Sequence, residues 1–415
     1  MNNPHQNLFY YYRGPSKKKK QKIYDIQLED NTTKALINVL ELCFKSGSPG
    51  ITLKFLKNNK IRNCRKVLGY QLQIRKEKSQ PDASIVCKNK TVYIESKLAS
   101  PLKRKQIKNH LGSLKIEDNL LIITDKEKDK RILDDIKDKR LKFTTWDRIH
   151  RFFQNINKSN KELLKLLVKD FTNYLEVNAL TQFNGFKDED FNYFIEPYER
   201  YTPILKNKLE KLSDLSFSRL NKNIRKKYSK IKTGNISKSY DELKCAWVAI
   251  KKSEKKKDVF KHCNFSLELN RDNFCVNLVI RDGRSDDKRM PIGKFCKKVE
   301  NNKKEFLKLV KNIQNTCTFQ IYERKAKAKT KKGVDIFQSG ENWNPVISLK
   351  LQKINLDSID FLLKFIKRIK YPGLIISQEI PRGNPILLNK VKLLKLIKQR
   401  IEEYYPILEF IESKS

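Results

Sequence analysis

The sequence predicts an α/β protein in which an N-terminal domain with a central mixed sheet is followed by a helical segment and a C-terminal α+β domain. Three observations carry that expectation. Short alternating or apolar runs are interleaved with helical-period segments up to about residue 158, as in strands joined by crossover helices. Two of those runs flank the dipeptide Asn89-Lys90, which marks an antiparallel hairpin. From residue 240 onward strand-like runs come first and helical ones last, an α+β order.

Residues 1–23 are a basic arm, with an almost pure lysine tract over Ser16–Lys22. Leu36, Leu40, Cys43 and Phe44 recur at helical spacing and predict a helix over about Glu29–Lys45, with Asp30 or Asn31 capping its start. Gly and Pro in Ser46–Gly50 end it, and a short helix around Thr52–Asn58 leads to a strand over 70–76. The hairpin strands are ASIVCK (83–88) and TVYIESK (91–97). A helix over about 102–112, the strand LLIITD (120–125), a charged helix over 128–138, the strand LKFTTW (141–146) and a helix over Trp146–Phe153 complete a domain spanning 24–158.

Residues 159–218 are expected to be helical, with Leu163, Leu164, Leu167, Phe171 and Leu175 forming an apolar stripe that reads as core or packing surface. Residues 219–239, dense in Lys, Asn and Arg, read as a basic linker or a loop facing nucleic acid. Residues 240–415 supply the strands CAWVAIKK, FSLELN, FCVNLVIR, CTFQIYERKAKAKT and WNPVISLKLQ, then the helices DFLLKFIKRIK and KVKLLKLIKQRIEEYY. No internal repeat is evident.

Lys and Arg number 90 against 47 Asp and Glu, a formal net charge of +43 over 415 residues. Such an excess concentrates polyanions and favours nucleic acid as partner, although lysine-rich codon usage would also raise the count. The eight cysteines form no CxxC pair, so neither a zinc ribbon nor a disulfide framework is expected, and buried thiols in a reducing, cytoplasmic setting are. The N-terminus lacks the order of a signal peptide, and no apolar run is long enough to span a bilayer. There is no phosphate-binding GxxxxGK[ST] loop, and the four histidines are too scattered for an HNH or zinc-hydrolase site.

Chemistry points to the hairpin. Asp82, after Pro81, starts one strand, and Glu95 and Lys97 end the other, so both strand ends lie together and Glu95 and Lys97 share a face. Two converging carboxylates give Mg²⁺, or Mn²⁺ in its place, the hard oxygens it prefers. Asp82 could instead cap a turn and Lys97 be a surface lysine. Glu95 is harder to explain away, because it follows Val92, Tyr93 and Ile94 in an apolar strand, where an unpaired carboxylate is costly.

Pro81-Asp82, twelve residues, then Glu95-Ser96-Lys97 resembles the PD-(D/E)xK nuclease superfamily, and with it a restriction-endonuclease-like core over about residues 24–155. The resemblance implies a metal-binding role for Glu29 on the first helix beside Asp82 and Glu95, and a catalytic-site role for Gln106 in PLKRKQIKNHL. It also implies a Mg²⁺-dependent endonuclease acting on DNA in preference to RNA, with a defence or restriction setting by analogy alone. Alternatives are a non-catalytic nucleic-acid-binding subunit on the same core, and an RNA-directed nuclease. A protein partner or homodimer stays open.

Candidate phosphate contacts are Lys103, Arg104 and Lys105 beyond the site, and Arg324, Lys325, Lys327, Lys329 and Lys331 in the run RKAKAKTKK. Solvated loops explain such runs as well. Tyr10, Tyr11, Tyr12 and Arg13 suit either base stacking or packing of an apolar arm.

Overall fold

Asn119–Thr124 is a strand with six consecutive buried residues, which only a strand covered on both faces can carry. In the computed structural model this strand sits inside a five-stranded mixed sheet. The structure describes residues 20–73, 79–98, 101–156, 162–192, 198–230, 234–239, 242–252, 262–281, 283–313, 316–323, 328–329, 335–336 and 345–413. They divide into two units, Met1–Gln182 and Phe183–Ser415.

The first unit runs α1 (Lys20–Lys45), α2 (Gly50–Asn58), β1 (Val67–Leu72), β2 (Ala83–Cys87), β3 (Lys90–Lys97), α3 (Arg104–Gly112), β4 (Asn119–Thr124), α4 (Lys130–Asp134), β5 (Leu141–Thr145), α5 (Trp146–Ile156) and α6 (Glu162–Val177). The strands lie in the order β1-β2-β3-β4-β5. β1, β2 and β3 are antiparallel neighbours, and β3, β4 and β5 are parallel. One sheet face, through Val92, Ile94, Leu121 and Ile123, packs with residues of α1, α2, α5 and α6, including Leu36, Phe55, Phe153 and Phe171. The other, through Tyr93, Leu120 and Ile122, packs with Ile107 and Leu111 of α3 and Leu133 of α4. Each fully buried Leu or Ile contributes about 1.5–3 kcal/mol.

Several boundaries differ from the sequence expectation. α1 begins at Lys20, so Glu29 lies in mid-helix and neither Asp30 nor Asn31 is its N-cap. The Lys- and Gln-rich start is a good helix former free of Gly and Pro. The hairpin turn is Lys88-Asn89, one residue earlier than expected, because Cys87 pairs with Lys90. The charged helix over 128–138 shortens to α4. α6, read as part of a separate helical segment, packs Leu164, Val168, Phe171 and Leu175 into the first unit's core, and its Tyr174 hydroxyl lies 3.1 Å from Thr32 Oγ1.

Cys64 and Cys87 are joined by a disulfide with Cα atoms 5.9 Å apart, against the expectation of thiols throughout. Sequence spacing could not reveal it, since only the β1–β2 pairing brings the two together. The other six cysteines are buried, as expected.

The second unit runs α7 (Asp188–Asn192), α8 (Tyr198–Arg219), α9 (Lys222–Lys227), β6 (Tyr228–Lys230), β7 (Gly234–Ser239), β8 (Glu242–Lys252), β9 (Asn264–Asn270), β10 (Asn273–Ile280), α10 (Pro291–Asn301), α11 (Lys303–Lys311), β11 (Cys317–Glu323), β12 (Ala328–Lys329), β13 (Asp335–Ile336), β14 (Pro345–Lys350), α12 (Leu356–Arg368), β15 (Pro372–Pro381), α13 (Pro385–Leu388) and α14 (Lys390–Glu412). Its antiparallel sheet has the order β14-β11-β15-β10-β9-β8-β6, with β7 also on β8. Within the stretch expected as a basic linker over 219–239, the described residues form the helix α9 and the strands β6 and β7, which pair with β8 in this sheet. Buried Leu220, Ile224 and Tyr228 anchor it, which a count of its charges conceals. No helix among the described residues is long and apolar enough to cross a membrane.

Gly373 pairs with Tyr322 across β15 and β11, and a β-carbon there would overlap the phenol ring. Gly373→Ala is therefore expected to destabilise the chain by about 1–3 kcal/mol, as overpacking does. The same substitution in a Tyr322→Leu background should cost much less, which denaturant midpoints of the four variants would measure.

Candidate active site

The β2–β3 ladder pairs Ala83 with Ile94, and one further step brings Asp82 opposite Glu95 at the open end of the hairpin. The Ser96 amide donates to Asp82 Oδ2 at 2.7 Å, tying the loop before β2 to the end of β3. Glu95, only 1% exposed, and Lys97 project together onto the α3 side of the sheet.

Lys97 Nζ is 2.9 Å from Glu95 Oε1 and also 2.9 Å from Glu29 Oε1. The second Glu29 oxygen accepts from the Leu98 amide at 2.9 Å. Glu29 thus reaches the cluster from mid-α1, and its carboxylate meets both the lysine and the strand end. Gln106 Nε2 donates to Glu95 Oε1 at 2.6 Å. All five side chains singled out in the sequence for chemistry therefore lie in one cluster: Glu29, Asp82, Glu95, Lys97 and Gln106.

His110 was passed over in the sequence. It is 2% exposed, and its Nε2 lies 3.3 Å from Glu95 Oε2. The contact is loosely aligned, and neither ring nitrogen nor Glu95 Oε2 has a well-formed hydrogen bond among the described residues. The signal was present in the spacing, because His110 is four residues after Gln106 and so on the same helical face.

The electrostatics are asymmetric. Burial and the nearby Glu95 charge push the Asp82 carboxyl up to about 7, against the pull of the Ser96 amide and Lys97. Burial also works to raise Glu95, but His110 and Lys97 outweigh it and hold that carboxylate below its ordinary range. For Lys97, burial favours the neutral amine, yet Glu95 and Glu29 dominate and hold the ammonium well above the usual lysine value. Of the two coupled acids, Asp82 thus holds its proton to the higher pH, while Glu95 is the more readily ionised beside a fixed cation.

No group of three or more His, Cys, Asp and Glu side chains that could hold a metal ion occurs among the described residues. The donor set that fits a divalent cation is Asp82 with Glu95, whose Oε2 is buried without a well-formed hydrogen bond. Both supply hard oxygens, and a cation between them would relieve the repulsion that raises Asp82.

Lys103, Arg104 and Lys105 stand exposed at the start of α3, with Arg104 ion-paired to Asp135. Of the distal basic run only Lys329 lies within the described residues, in the two-stranded β12–β13 ribbon. Arg324, Lys325, Lys327 and Lys331, like Tyr10–Arg13, fall outside them. The chain matches no protein family, and no curated protein is detectably similar to it in sequence.

Asp82 makes the stability of the fold depend on pH. A carboxyl whose folded value lies above its unfolded one favours folding below about pH 4, and that contribution is lost as pH rises through about 7. Metal-free Asp82→Asn should therefore melt a few degrees above wild type at pH 8, at roughly 2–4 °C per kcal/mol, and match it near pH 4. Equal melting temperatures at both pH values would contradict the assignment of the proton.

Proposed function

We propose that the chain is a metal-dependent nuclease of the PD-(D/E)xK type that hydrolyses phosphodiester bonds, with DNA as its preferred substrate. The observation that carries this reading is the meeting of Asp82, Glu95 and Lys97 at one sheet end, with Lys97 2.9 Å from Glu95. A restriction-endonuclease-like assignment of the first unit agrees with its β1-β2-β3-β4-β5 mixed sheet and with the helix that delivers Gln106 after the lysine strand. The net charge of +43 supports a polyanionic substrate.

Asp82 and Glu95 would hold Mg²⁺ or Mn²⁺, which when bound acidifies a water and neutralises charge on the scissile phosphate. The chain's own residues do the rest. Lys97 keeps its proton under the influence of Glu29 and Glu95, so it serves as a fixed cation toward phosphate or attacking water and not as a resting general base. Glu29 positions Lys97 and the end of β3. Gln106 restrains the Glu95 carboxylate. Lys103, Arg104 and Lys105 at the mouth of α3 would meet flanking phosphates.

A second reading, a nucleic-acid-binding scaffold without catalysis, draws on the same cluster: both Glu29 oxygens are already engaged by Lys97 and the Leu98 amide. Incubation of wild type with duplex DNA, single-stranded DNA and RNA in Mg²⁺ or Mn²⁺ separates the readings. DNA cleavage is expected, with loss of at least about 10²-fold in Asp82→Ala, Glu95→Ala and Lys97→Met while binding persists. Binding without cleavage of any substrate would favour the scaffold, and cleavage of RNA alone would overturn the substrate choice.

A further inference from the structure

His110 has no place in the motif that drew attention to this site, yet it reaches the same carboxylate from the far side. α3 packs Ile107 and Leu111 into the sheet, and this rotation turns Gln106 and His110, four residues apart, toward Glu95. Gln106 takes Oε1 at 2.6 Å and His110 stands 3.3 Å from Oε2, so the two residues bracket the carboxylate. Buried polar atoms are rarely left unmatched. The imidazole, 2% exposed, has no well-formed hydrogen bond at either nitrogen among the described residues, and Glu95 Oε2 is in the same position. Each is therefore the nearest available match for the other.

We propose that His110 is a positioning residue: its Nε2–H donates to Glu95 Oε2 and, with Gln106 on Oε1, fixes the rotation of the carboxylate that receives the divalent cation. This inference rests on the metal-dependent reading above. A carboxylate oxygen accepts two contacts, so one lone pair of Oε2 serves the imidazole while the other stays open to the ion. The loose alignment is of the kind that tightens when a site is filled. Neighbours that orient a ligand in this way set metal affinity without touching the metal.

Two variants of the full chain separate positioning from packing. His110→Phe keeps ring volume without a donor, and His110→Gln returns an amide N–H near the place of Nε2. Calorimetric titration with Mn²⁺ is expected to show binding weakened about 10- to 100-fold in His110→Phe and recovered to within about threefold in His110→Gln. Wild-type affinity in His110→Phe, or equal loss in both variants, would overturn the proposal.

Should His110→Phe fail to fold, the ring itself reports. Its ¹⁵N signals, assigned by their absence in His110→Gln, should show an Nε2–H tautomer that shifts on Glu95→Gln, and an Nδ1–H tautomer would overturn the pairing. If wild type binds no Mn²⁺ while the Nε2–H signature and its response to Glu95→Gln persist, the nuclease reading falls and the His110–Glu95 contact stands.

Discussion

One ammonium group between two buried acids holds the end of the first unit's sheet together. Lys97 sits 2.9 Å from both Glu29 and Glu95, with all three side chains largely withdrawn from water. Removing such charges from solvent is expensive, and an unmatched carboxylate in this place would take up a proton or move to the surface. His110 and the lysine allow Glu95 to remain ionised inside the sheet, while burial and the Glu95 charge raise Asp82, which has no cation at hydrogen-bond distance among the described residues.

That imbalance is built on a regular scaffold. The β2–β3 ladder sets Asp82 across from Glu95, and the parallel pairing of β3 with β4 buries the apolar residues before them on both faces. Helices from opposite faces then converge on one strand end. α1 sends Glu29 to Lys97 and the Leu98 amide, while α3 sends Gln106 and His110 to Glu95. A site supported from both faces is held by packing on rigid elements, so its geometry depends on the core as much as on its own hydrogen bonds.

The second unit has a buried polar cluster of its own. Its α14 lies along the antiparallel sheet, with Arg400 hydrogen-bonded to Gln378 and ion-paired to Glu403, and with the Tyr404 hydroxyl donating to the Val276 carbonyl. These buried groups bond one another and the backbone, as structural polar groups do. At the end of β3 in the first unit, Glu95 Oε2 and both His110 nitrogens have no well-formed hydrogen bond among the described residues, and in the second unit the same is true of Ser213 Oγ and the Asn264 side-chain amide.

The sequence by itself determined the elements whose periodicity is strong. The hairpin, the apolar β4, the Trp146-led helix and the terminal helices follow from alternation or 3.6-residue spacing, because side-chain burial enforces those periods. It also drew attention to Glu95, since an acid ending an apolar strand violates the burial pattern around it, and to Asp82 and Lys97 through their places at the same end of the hairpin. The division of 159–218 between two units, the pairing of 228–230 and 234–239 into a sheet and the Cys64–Cys87 bond were decided by tertiary structure, through contacts among residues distant in the chain. His110 belongs with these: a histidine is ordinary in sequence, and only packing of α3 on the sheet brings it to 3.3 Å from a buried carboxylate.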